Sequence, residues 1–158
     1  MAFRTDVARR LGGFDPRLGS GVATRSGEDI DLLLRVILDG KAIMYEPAAV
    51  VWHRHKRDHR ALRQTMYAYG VGLSAVITKT LLSDRVASRE LLRRLPGGIV
   101  YAVNPNSAKN TGKTAGYPPS LTALELLGMV SGPFCYVAVA YGARPLHRRA
   151  RGGLEVES

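Results

Sequence analysis

The sequence predicts an α-rich α/β domain, and three observations lead there. An apolar pattern of helical period runs from Glu28 to Asp39 and stops at Gly40. Two short runs, Lys41 to Glu46 and Ala49 to His53, follow it, read as strands and are parted by Pro47. Beyond them apolar residues again recur at three and four, from Asp58 to about Leu82 and from Asp84 to Leu95.

Taken in order, Thr5 caps a short helix that runs through Arg10 or Leu11, and Gly12-Gly13 ends it. Phe14 then packs on the core. Asp15 to Ser26 is rich in Gly, Ser and Thr and predicts a loop that delivers the chain to Glu28. Ser26 or Gly27 caps the next helix. At about 100° per residue, Glu28, Asp31, Arg35 and Asp39 form one polar stripe, with Ile30, Leu33, Leu34 and Ile37 opposite. Asp29 falls between Leu33 and Val36, on the flank of the apolar side, while Asp31 faces water four residues before Arg35. A carboxylate turned inward needs a partner, a ligand or a wet cleft, which makes Asp29 a site candidate. The alternative is that both acids only complement the helix dipole.

Asp58 opens the long helix to Leu82, which Gly70 and Gly72 interrupt; glycines there point to close packing or a bend. Asp84 starts another helix, and Pro96 closes it. From Pro96 to Ser120 the chain is read as loop. Ser107 to Thr114 ends like a phosphate-binding loop, but Ser107 stands where its first glycine belongs and Pro118-Pro119 block the helix it needs. Leu121 to Tyr141 carries a single charge, Glu125, and is followed by Arg144, His147, Arg148, Arg149 and Arg151. Its length would span a bilayer, but Gly132-Pro133 favours two short helices lying on a membrane surface or on the domain. Four segments result: 1–57, a helical extension 58–95, a loop 96–120, and the apolar helical segment with its basic tail 121–158.

With 23 Lys and Arg against 13 acids the net charge is +10, which favours anionic partners. The single cysteine, Cys135, excludes a disulfide framework and a cysteine metal site, and fits a reducing compartment. His53, His55 and His59 lie among Arg54, Lys56 and Arg57 and match no zinc spacing. Trp52 is the only ring near that basic cluster before Tyr67, so a nucleic-acid groove with interleaved aromatics is not formed.

Met1-Ala2-Phe3-Arg4, Leu11-Gly12-Gly13-Phe14-Asp15, Gly27-Glu28-Asp29-x-Asp31-Leu32-x-x-Arg35, Gly40, Tyr45-Glu46-Pro47 and Val51-Trp52-His53-x-His55 together resemble the C-terminal half of a family 2 glycosyltransferase catalytic domain, the GT-A fold. The resemblance implies that Asp29, with Glu28 beside it, sits at the catalytic centre and takes the proton of an acceptor hydroxyl. It implies His53 as a ligand of the Mg²⁺ or Mn²⁺ on a nucleotide-diphospho-sugar, with Arg25 and Trp52 on the acceptor side. Fold and activity follow as expectations: a partial GT-A domain followed by helices, and inverting transfer of a sugar to a lipid-linked or polysaccharide acceptor at the cytoplasmic face of the cell membrane. A purely cytoplasmic location is the alternative.

In that family the nucleotide-binding half, with its Asp-x-Asp metal motif, precedes the segment that opens this chain, and no such motif stands before Gly27. The chain is therefore expected to be a fragment, inactive alone. The competing class is a non-catalytic basic module that binds membrane or nucleic acid, which the charge supports and the sparse aromatics weaken.

Overall fold

The computed structural model describes residues 1–52, 58–111 and 117–142. Among the described residues the elements are helices: α1 (Thr5–Arg10), α2 (Glu28–Leu38), α3 (His59–Ser83), α4 (Arg85–Val103), α5 (Ala108–Thr111) and α6 (Pro119–Tyr141). Asp58 starts α3 by accepting from the Arg60 amide at 3.0 Å, and Asp84 starts α4 by accepting from Val86 and Ala87 at 2.9 Å. Each satisfies amides that the first turn of a helix leaves without a partner.

Helices α3 and α6 are the frame, and glycines set how closely they approach. A Cβ on Gly70 would run into the Glu125 carbonyl, and one on Gly128 into the backbone of Tyr67 and Val71. A Cβ on Gly132 would strike the Ser74 hydroxyl and the Val71 carbonyl. The backbones therefore touch directly, which only residues without a side chain permit. Leu18, Ala75, Val76 and Tyr136 form a buried cluster beside this crossing, with Leu34 and Ala140 packed against it.

The start of α2 is pressed into the same helix. Gly27 takes φ 106°, and a Cβ there would meet the Gly72 carbonyl and Val76. Ser26 does not cap α2; its hydroxyl donates to the Ala68 carbonyl of α3 at 2.8 Å. Gly72, a helix interruption by sequence, is thus the seat that receives Ser26.

Three expectations change. Helix α4 continues through Pro96 to Val103, and α6 continues through Gly132-Pro133 to Tyr141 as one helix, not two. A proline deletes one backbone bond, but in α6 the contact of Gly132 with α3 holds the axis on both sides of it. The runs 41–46 and 49–52 carry no strand, and Met44, Tyr45 and Trp52 are exposed. A strand needs a ladder partner, and the described residues offer none. Helix α6 is long and apolar enough to cross a membrane, by length and composition, and most of its apolar window lies unburied.

Candidate functional site

The loop from Asp15 to Gly27 and the first turn of α2 bring the candidate residues to one place. Thr24 is buried and its hydroxyl donates to the Arg17 carbonyl at 2.8 Å, which folds the loop back on itself. Gly19 has φ 104°, and the Glu28 carboxylate lies where its Cβ would stand, so Glu28 is packed over the loop and half-buried. Arg25 holds φ 62°, the left-handed region that non-glycine residues seldom adopt, and its guanidinium lies 5.3 Å from the centre of the Tyr67 ring on α3.

The two aspartates of α2 exchange the places that the sequence predicts. Asp29 is exposed, with Oδ1 accepting from the Ile30 amide at 2.8 Å. Asp31 is the inward one, at 2% exposure. Its Oδ2 accepts from Arg35 Nε at 2.9 Å and its Oδ1 from Lys79 Nζ at 2.5 Å. The same ammonium lies 2.8 Å from Asp15, which Arg17 grips with Nε and Nη2 at 2.9 and 2.8 Å. Arg35 donates further to the carbonyls of Leu11 and Gly13. Buried carboxylates are tolerated here because three cations converge on them, and one of these, Arg35, also holds the end of α1.

This network fastens the loop, α2 and α3 together, and the Arg17 guanidinium lies 5.7 Å from the centre of the Tyr136 ring of α6. Burial pushes the Asp15 carboxyl up, but the bonds from Arg17 and Lys79 together outweigh it and hold it well below the usual carboxylate range. Lys79, Asp15 and Arg17 carry the arrangement, and sequence reasoning gave them no role. A signal existed: Lys79 is the lone charge in the apolar run from Tyr67 to Leu82.

The structure thus gathers Arg25, Glu28 and Asp29 around the start of α2, while Trp52, at 95% exposure, is packed against none of them. His53 lies outside the described residues, as do His55 and the Gly112-Lys113-Thr114 end of the phosphate-loop lookalike. Among the described residues no three His, Cys, Asp or Glu side chains gather as a metal site, and Asp29 and Asp31 point apart. The described donors do not by themselves fit Mg²⁺ or Mn²⁺.

No family model matches the chain, and no solved structure matches it significantly. Among curated proteins, the pre-mycofactocin glycosyltransferases of Mycobacterium tuberculosis strains CDC 1551 / Oshkosh and ATCC 25618 / H37Rv are each 40% identical to it over 57 residues. That stretch is 36% of this chain and 11% of each relative, so the match spans about a ninth of their length. A segment of this chain is similar to part of a glycosyltransferase.

Proposed function

We propose that the chain is the acceptor-side portion of an inverting glycosyltransferase of family 2 with a partial GT-A domain, in which Asp29 is the base that activates the acceptor hydroxyl. The similarity over 57 residues to a glycosyltransferase carries the proposal. The start of α2 agrees with it: Asp29 is open to an incoming group, while the Gly27–Gly72 contact fixes the turn that bears it. A sugar hydroxyl becomes a competent nucleophile as its proton passes to a carboxylate, and the attack expels the nucleoside diphosphate from the opposite side of the anomeric carbon. Glu28, packed on Gly19, orients the turn.

The donor is a nucleotide-diphospho-sugar and the acceptor is lipid-linked or a polysaccharide. Leu127, Val130, Phe134, Val137 and Tyr141 recur at three and four along α6 and are all exposed, an apolar stripe suited to the membrane's cytoplasmic face. The test is transfer of labelled sugar to membrane extract by the full reading frame, including any segment ahead of Met1. Asp29→Asn is expected to lower the rate by about 10² to 10⁴, the range for loss of a positioned base, with donor binding retained. Unchanged turnover in Asp29→Asn would remove that residue from the role.

A further inference from the structure

We propose that a groove between the loop at Arg25, the first turns of α3, and α6 binds the phosphate of a small organic phosphate. The groove has a volume of about 500 Å³ and is lined by Arg25, Arg60, Arg63, Gln64, Tyr67 and Leu124. The four residues from α3 recur at three and four and so share one face of the helix. Arg25 reaches in from the loop before α2, and Leu124 closes the far side from α6.

Its charge is what sets this groove apart. Among the described residues no carboxylate lines it, whereas Arg10, Arg17 and Arg35 elsewhere in the fold each hold an aspartate. Arg60 and Arg63 lie in the first turns of α3, which hold no acid beyond the Asp58 cap on the Arg60 amide. Local helix stability would favour Glu or Asp there. Arg25 is moreover held in a left-handed backbone conformation with its guanidinium on the Tyr67 ring. Strained backbone of this kind persists where the surroundings impose it, and it gathers at functional positions.

Three like charges brought together repel, and a phosphate dianion relieves that repulsion while its oxygens accept paired N–H groups from the guanidinium forks. Tyr67 and Leu124 supply an apolar wall for whatever carries the phosphate. The volume suits a headgroup or a diphosphate rather than a length of polynucleotide. Binding is read without any sugar transfer, so this inference and the transferase reading can fail separately.

The test is calorimetric titration of the full chain with pyrophosphate at low salt. Saturable binding is expected, with Arg25→Gln, Arg60→Gln and Arg63→Gln each weakening it about tenfold, the size of one lost charge-assisted hydrogen bond. Arg93→Gln removes the same charge from an exposed face of α4 and is expected to change binding less than about twofold. Arg25→Gly, which suits φ 62°, should fold at least as stably as the parent and still bind weakly.

Vesicles of phosphatidylglycerol and of phosphatidylcholine distinguish the sources of phosphate. Capture by the anionic vesicles that Arg63→Gln weakens and pyrophosphate competes away makes the ligand a lipid headgroup. Pyrophosphate binding, with vesicle capture indifferent to Arg63→Gln, makes it a soluble phosphate. Absence of saturable pyrophosphate binding, or an equal loss in Arg93→Gln, overturns the proposal. So does an oligonucleotide that binds far more tightly than pyrophosphate and loses that advantage in Arg25→Gln.

Discussion

Replacing Lys79 with Met removes a cation that touches both Asp15 and Asp31. Its ammonium lies 2.8 Å from Asp15 and 2.5 Å from Asp31, whose side chains are 6% and 3% exposed. Two unit charges 4 Å apart attract by about 4 kcal/mol at an effective dielectric near 20, and the desolvation of the ammonium offsets much of this. Removing one partner of a buried ion pair costs about 3–5 kcal/mol, because the other charge stays behind. Arg17 and Arg35 remain on the two acids, which places Lys79→Met at the lower end, about 3 kcal/mol. Urea unfolding followed by helical circular dichroism reads this directly: with a slope of about 1–3 kcal/mol/M, the midpoint falls by about 1–3 M. Adding Asp31→Leu should then recover part of the loss, giving a coupling of about 1–3 kcal/mol between the two positions. A single-variant loss under about 1 kcal/mol with additive behaviour in the pair would refute the claim that the charge cluster holds the loop and α2 against α3.

The Asp15 carboxyl is depressed in the folded chain, so the folded state binds fewer protons than the unfolded one as acid is added. Its contribution is present above the unfolded value of 3.8 and is lost as pH falls below it; the urea midpoint should drop below about pH 4 in the parent and change less steeply in Asp15→Asn. Gly128→Ala would drive a methyl into the backbone of α3 and should cost about 1–3 kcal/mol despite alanine's better helix propensity. Gly97→Ala in α4, where no atom lies within 4 Å of the added carbon, should instead stabilise by about 0.5–1 kcal/mol on the same urea curve. Phe134→Asp, on the outward stripe of α6, should leave the unfolding midpoint unmoved yet release the chain from vesicles, as measured by co-sedimentation.

What local chemistry determines was legible in the sequence. Asp58 and Asp84 cap where a capping residue is expected, and α2 and α3 run close to their predicted bounds. What needs a partner was not. The stretch from Pro96 reads as loop, yet α4 continues through it to Val103, and α6 crosses a Gly-Pro pair that by itself would break a helix. In α6 the deciding fact is distant: Gly132 rests on Val71 and Ser74, about sixty residues away in the chain. The glycines of α3 point by sequence to close packing or a bend; the structure shows close packing, and that Gly70 meets α6 while Gly72 meets Ser26 is information that only the fold contains.

The aspartate pair at the start of α2 makes the same point about the site. Periodicity turns Asp29 inward, because it weighs only the apolar neighbours on the same helix. On the buried side of α2, Lys79 of α3 and Arg35 of α2 itself make an interior position tolerable for Asp31, beside the buried Leu32 and Val36. Asp29, next to Gly27, then emerges beside Glu28 and Arg25. For a proton acceptor that orientation is the more useful one. Asp31 has both oxygens engaged, by Lys79 and by Arg35, whereas Asp29 is exposed and among the described residues accepts from the Ile30 amide through Oδ1. The division of labour between two acids two residues apart, one holding the turn and one presented by it, follows from which of them the lysine reaches.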